Sequence, residues 1–258
     1  MDLGITGLRV LVTAGAGGIG LEVVKAFRRE GARVHICDID EAALKALAKS
    51  HPEVTSSRCD VANREQVSQL FKEALAKLGG LDCLVNNAGI AGPTGPVDEI
   101  NPEDWDRCVD ICLTGQFNCA RLAVPHLKAS ANPSMINLAS AAGKFGFPNR
   151  SPYAAAKWGV VGFTKTLSRE LGDYGIRVNA ILPGVVEGDR IRRVFEAKAQ
   201  IAGKSAAEIR DAALAHASIK EMILPEQLAD MMVFLASPRA RTISGQAVSV
   251  DGDTQTLV

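Results

Sequence analysis

The chain has 258 residues, in which 29 Lys and Arg are balanced by 29 Asp and Glu to a formal net charge of zero. That balance offers no broad field for nucleic acid or an anionic membrane, so neither is expected as a partner. No apolar run approaches the ~20 residues that span a bilayer, and the N-terminus lacks the basic-then-apolar form of a signal peptide, so a cytoplasmic location is expected.

The first predicted element is Leu8–Thr13, a short apolar run that ends in Ala14-Gly15-Ala16-Gly17-Gly18-Ile19-Gly20. The spacing Gly15-x-Gly17-x-x-Gly20 predicts a strand, a tight turn and a helix start, in which backbone N–H groups and the helix N-terminus can meet a pyrophosphate. An amphipathic helix over Leu21 to Glu30 and a second strand over Ala32 to Cys37 complete that context, and Asp38 falls where a ribose hydroxyl would be held. Further strands are predicted at Val54–Arg58, Cys83–Asn86, Met135–Leu138, Arg177–Ile181 and Ala247–Val250, with helical periodicity between them. Such alternation implies a doubly wound α/β fold, a seven-stranded parallel sheet with helices on both faces. No linker or low-complexity tract divides residues 1–258, so one domain is expected. Ligands of such sheets bind outside the carboxyl ends of the strands. Gly15, Asp38, Asp60, Asn86, Ser140 and Pro183 all follow a predicted strand on that edge.

The segment Ser151-Pro152-Tyr153-Ala154-Ala155-Ala156-Lys157 sets a phenol and an ammonium four residues apart, on one face of a helix. A close fixed positive charge favours a phenolate, which brings tyrosine towards proton exchange with an alcohol or carbonyl oxygen. Ser140, thirteen residues upstream of the tyrosine, is the candidate to hold that same oxygen. The spacing alone occurs by chance; beside the glycine turn it acquires a meaning. The six cysteines (Cys37, Cys59, Cys83, Cys108, Cys112, Cys119) form no Cys-x-x-Cys pair and are expected to be reduced packing residues. His35, His51, His126 and His216 are scattered, so no metal site is expected.

On these motifs the chain resembles the short-chain dehydrogenase/reductase family from about Leu8 to about Gly252. The resemblance rests on the glycine turn, Asp60-Val61, Asn86-Asn87-Ala88-Gly89, Ser140, Tyr153 with Lys157, and Pro183-Gly184. It implies that Ser140 positions the substrate oxygen, that Tyr153 gives or takes the proton, and that Lys157 lowers the tyrosine pKa and holds the nicotinamide ribose. It further implies a dinucleotide held by Gly15, Gly18, Ile19, Gly20, Asp38, Asp60, Val61, Asn87, Ala88, Gly89, Tyr153, Lys157, Pro183, Gly184 and Val186. Three positions depart from the family pattern. Ala14 stands where the turn usually has glycine, Cys112 where an asparagine usually helps hold a proton-relay water, and Gly188 where a threonine usually meets the nicotinamide carboxamide. The expectation is a working enzyme, slower or differently tuned than its relatives, with Ala14 tolerated.

A carboxylate at Asp38 repels a 2′-phosphate, and Ala16, Gly17 and Ile39 supply no cation to receive one, so NAD is the expected cofactor. Asp38 could instead cap the next helix, but Asp40 is better placed for that. The substrate segments contribute Ala142, Phe145, Phe147, Asn149 and Arg150, then a variable stretch at about residues 185–224 with Val185, Glu187, Arg190, Ile191 and Arg193. This polar mix suits a small secondary alcohol such as a polyol, sugar or hydroxy acid and its ketone, although arginines on a surface helix are ordinarily solvated. Two alternatives stay open: a 3-oxoacyl carrier-protein-type ketone reductase, and a non-catalytic dinucleotide-binding regulator. Apolar surfaces on more than one face of residues 104–128 and 151–174, together with the family's habit of pairing these helices, imply a homotetramer.

Overall fold

The computed structural model describes residues 2–258. Seven parallel strands, β1 (Arg9–Thr13), β2 (Arg33–Asp38), β3 (Thr55–Arg58), β4 (Cys83–Asn86), β5 (Ser134–Leu138), β6 (Arg177–Pro183) and β7 (Ala247–Val250), form one sheet in the order β3-β2-β1-β4-β5-β6-β7. The order runs outward from β1 to β3 and then returns to place β4 on the other side of β1. The switch point therefore falls between β1 and β4, where ligands of doubly wound sheets bind.

The strands alternate between two cores, although their sequences read as nearly unbroken apolar runs. Val10, Val12, Val34 and Ile36 face one core with Val23, Val24 and Phe27 of α1 (Gly18–Arg29) and Leu228, Met232 and Val233 of α9 (Pro225–Ala236). Leu11, Cys37 and Leu84 face the other, with Val67, Leu70 and Phe71 of α3 (Arg64–Leu78) and Cys119, Ala123 and Leu127 of α5 (Gly115–Leu127). Burial on both faces removes the polar half of the strand pattern, as parallel sheets require.

The remaining helices are α2 (Glu41–Ser50), α4 (Pro102–Val109), α6 (Ser151–Leu171), α7 (Asp189–Ala202) and α8 (Ala206–Ala215). The sequence reading differs in detail. β3 begins one residue later than expected, and β6 runs on to Pro183. The helix expected over residues 104–128 is interrupted by a π turn, Asp110–Thr114, in which the Gly115 N–H reaches back to the Asp110 carbonyl. Gly115 sits against Val61, and a Cβ at that glycine would come within 2.6 Å of Val61 Cγ2. All six cysteines are free and buried.

Candidate active site

At the switch point one threonine ties the glycine turn to β4. Thr13 Oγ1 accepts from the Asn87 and Ala88 backbone N–H groups at 3.0 and 2.9 Å, while Asn87 Nδ2 donates to the Thr13 and Ala14 carbonyls, both at 2.9 Å. The turn itself is tight. A Cβ at Gly20 would stand 2.0 Å from the Ala14 carbonyl oxygen, so only glycine lets α1 begin that close to β1. Ala14 has φ 51°, the left-handed region that costs a non-glycine residue about 1–2 kcal/mol. The expected tolerance of its methyl therefore carries local strain.

Gly17 is the N-cap of α1, which has no side-chain cap and no acid in its first turn, and a Cβ at Gly17 or Gly18 would meet nothing within 4 Å. Free N–H groups above an open glycine surface fit the pyrophosphate of a dinucleotide. Asp38 closes β2 beside this turn. Its Oδ2 accepts from Ala16 N–H and its Oδ1 from Asp40 N–H, both at 3.1 Å. Asp40 caps α2 by accepting from Ala42 and Ala43, which leaves Asp38 free of that duty. Asp60 pairs with Arg107 at 3.0 Å and accepts from Ala62 N–H, and the Val61 side chain is buried. Gly184 packs on Asp251, where a Cβ would come within 2.8 Å of its Cα, and Val186 bridges to Ile223.

Lys157, only 2% exposed, donates from Nζ to the Leu138 carbonyl at 2.7 Å. Leu138 ends β5, so that bond fixes the ammonium two residues from Ser140. Nζ lies 5.6 Å from the Tyr153 ring centroid, on the same face of α6. Ser140 is half-buried, and its Oγ accepts from Ala142 N–H at 3.1 Å. Gly89 closes the other side: a Cβ there would lie 3.6 Å from Lys157 Nζ and 3.5 Å from Cys112 Sγ. Asn86 stands behind the site, donating to Asn137 Oδ1 at 3.0 Å; Asn137 in turn donates to Thr164 Oγ1 of α6 at 3.0 Å. Tyr153, Lys157 and Gly89 thus come together, with Ser140 two residues past the carbonyl that holds Lys157 and with the glycine turn and Asp38 farther along the same edge.

Cys112 lies inside the π turn and is fully buried. Its thiol donates to the Ile90 carbonyl and accepts from Ile90 N–H, both at 3.4 Å. The Cys108 thiol packed beside it pulls the Cys112 pKa below the ordinary thiol value and has its own pushed up; the Lys157 charge adds to the lowering. Gly188 has φ 145° and caps α7, so the threonine of the family pattern would be strained there. A cavity of about 600 Å³ is lined by Gly95, Val97, Phe147, Asn149, Ser151 and Leu257, and Tyr153 is not among its lining residues.

Cys108 packs with Cys112 and Ala156, as expected of the cysteines. Arg150 reads in the sequence only as a pocket residue, yet its Cζ lies 5.3 Å from the Tyr153 ring centroid. Among the described residues no group of three His, Cys, Asp or Glu could hold a metal ion, and no helix is long and apolar enough to cross a membrane.

This sheet, with a glycine turn at its switch point and a Tyr-x-x-x-Lys helix against its carboxyl edge, defines a Rossmann-fold oxidoreductase. A family model described as Enoyl-(Acyl carrier protein) reductase matches residues 13–253. The chain belongs to the short-chain dehydrogenase/reductase family, whose members bind a nicotinamide dinucleotide and act on small molecules. It is 34% identical over 246 residues to a 3-oxoacyl-(acyl-carrier-protein) reductase of Thermotoga maritima, covering 94% of this chain and 95% of that one. It is 35% identical to an L-fucose dehydrogenase of Bos taurus, over 95% of this chain and 88% of the relative. Among solved structures, an actinorhodin polyketide ketoreductase with NADPH superposes with a TM-score of 0.90 at 33% identity, covering 95% of this chain and 96% of that one.

Proposed function

We propose that this protein is an NAD-dependent dehydrogenase that interconverts a small polar secondary alcohol and its ketone. The observation that carries the cofactor preference is Asp38, whose carboxylate is anchored to the Ala16 N–H of the glycine turn. Accepting from both ribose hydroxyls and repelling a 2′-phosphate, that carboxylate favours NAD. The turn and Ile39 supply no cation that would reverse the preference.

When bound, the nicotinamide supplies the hydride acceptor or donor. Every other task falls to the chain. The Ser140 hydroxyl donates to the substrate oxygen, and Tyr153 Oη takes or returns the proton at that same oxygen. The Lys157 ammonium stabilises the negative charge that develops on the phenolic oxygen. One of its three N–H donors is taken by the Leu138 carbonyl, which leaves two for the ribose hydroxyls. Polar side chains around the site, among them Arg190 and Glu187, support a polar substrate over a long acyl chain.

The test follows the near-ultraviolet absorbance of the reduced dinucleotide, with NAD or NADP and a panel of polyols, sugars and hydroxy acids. NAD-linked oxidation is expected, and Tyr153→Phe should lower turnover by about 10²–10⁴-fold while leaving NAD affinity nearly intact. Near-normal turnover by that variant overturns the assignment. A second reading, a 3-oxoacyl carrier-protein-type reductase, is favoured by the similarity to the Thermotoga maritima enzyme. Preference for NADPH and a 3-oxoacyl thioester would establish it instead. Exposed Phe117 on α5 and Trp158 on α6 support a homotetramer built on these helices. A monomer by light scattering contradicts that assembly.

A further inference from the structure

Three cations gather around the Tyr153 and Phe147 rings, and none has a part in the reaction described above. Arg150 Cζ lies 5.3 Å from the Tyr153 centroid and 5.5 Å from that of Phe147, Arg190 Cζ lies 5.7 Å from Tyr153, and Lys198 Nζ lies 4.1 Å from Phe147. Arg150 is 2% exposed. It donates from Nη2 to the Ala91 carbonyl at 2.5 Å and from Nη1 to Thr94 Oγ1 at 3.3 Å, while its buried Nε has no partner. Among the described residues neither Arg150 nor Arg190 forms an ion pair. Tyr153 and Arg190 lie close enough to act on the Arg150 charge. Lys198 donates to the main-chain oxygen of Val258, and burial, with Arg150 close by, lowers its pKa to about 8.

Buried charges in proteins are paired or bound to a counter-ion, because an isolated ion in a low-dielectric interior is costly. Cation–π contacts offset part of that cost, but they do nothing for the repulsion between neighbouring cations. A purely structural tie between α6 and the loop at Ala91 to Thr94 needs two hydrogen bonds. A neutral glutamine could make such bonds without placing a charge there. Nor does a structural tie explain Arg190, exposed on α7 and aimed at the same ring.

We propose that Arg150 and Arg190 form an anion-binding subsite beside Tyr153, and that the alcohol oxidised here carries a carboxylate, as a short hydroxy acid or sugar acid does. The inference rests on the alcohol–ketone reading above and narrows its substrate class. The flat guanidinium fork matches a carboxylate. Both cations lie within one ring's reach of the proton-transferring phenol, so the carboxylate sits few bonds from the reacting carbon.

Lactate, glycerate and gluconate, each compared with its primary amide, test the subsite, with glycerol phosphate as a further arm. The acids should be preferred over the amides by about 10–100-fold in kcat/KM, mostly through KM. Arg190→Gln, on an exposed helix position, should bring that preference close to unity. Arg150→Gln should do the same, with circular dichroism showing that it folds and Arg150→Lys restoring part of the preference. Equal use of acid and amide by the unaltered protein overturns the proposal, as does a preference for the phosphate ester. A second readout separates the two readings. With NAD present, the acids should raise the thermal unfolding midpoint of the unaltered protein and not of either Gln variant. Acid-specific stabilisation without turnover would sink the dehydrogenase reading and keep the subsite, whereas no stabilisation by any acid removes the subsite.

Discussion

Thr13→Val replaces a side chain that is 1% exposed by one of the same shape and removes a single oxygen. That oxygen accepts from two backbone N–H groups, Asn87 at 3.0 Å and Ala88 at 2.9 Å. Each buried donor left without a partner costs about 1–3 kcal/mol, so two donors cost about 2–6 kcal/mol, with about 3 kcal/mol as the working value. Thr13→Ser keeps the acceptor and loses one methyl, a change of about 1 kcal/mol. In a chain of this size 1 kcal/mol moves the unfolding midpoint by about 2–4 °C, so the valine variant should melt about 6–12 °C lower and the serine variant about 2–4 °C lower. Urea denaturation followed by circular dichroism gives the free energies, and calorimetry gives the midpoints. Because Thr13 and Asn87 together hold the glycine turn against β4, the valine variant should also bind dinucleotide more weakly when titrated at a temperature where it is folded. A valine variant within about 0.5 kcal/mol of the unaltered protein, or a serine variant as unstable as the valine one, would refute the reasoning, since a mere loss of packing predicts no such difference.

Asp38→Ser should weaken NAD binding and relieve the exclusion of NADP, moving the ratio of the two affinities towards NADP; an unaltered protein that already prefers NADP contradicts the assignment. His35 is buried between Thr55 Oγ1 at 2.8 Å and Ser57 Oγ at 3.1 Å, and burial holds its pKa at about 4, below the ordinary 6.5. The unfolded chain therefore takes up a proton at this residue before the folded one does, and stability should fall by up to about 3 kcal/mol as pH drops from 6.5 towards 4. Denaturation at several pH values, with His35→Gln as the variant that loses this component, checks the slope; an identical slope in the variant excludes His35 as its source. Cys112→Asn offers the Ile90 N–H and carbonyl a stronger acceptor and donor than a thiol. It should fold and keep or raise turnover, whereas a well-folded variant with much slower turnover would show that the thiol itself shapes this site.

What the sequence by itself determined is local. Gly15, Gly17 and Gly20 mark the turn because their spacing encodes a backbone path, and Tyr153 and Lys157 share a face because helical pitch places residues four apart together. The parallel sheet was legible from strand and helix alternation, and Asp38 from its position one residue past a strand. Tertiary structure decided the rest, because those features depend on contacts between distant segments. Ala14 is strained only because α1 must start against β1, with Gly20 under the Ala14 carbonyl. Lys157 is fixed by a carbonyl of β5, and Cys112 meets Ile90 only because the helix breaks into a π turn at Asp110–Thr114. Arg150 and Arg190 lie on separate elements, each reading as an ordinary polar residue in its own segment. Only the tertiary fold brings both guanidinium groups, one at the start of α6 and one on α7, to the Tyr153 ring. Burial and the electric field at a site are sums over the whole fold, and no local spacing carries them.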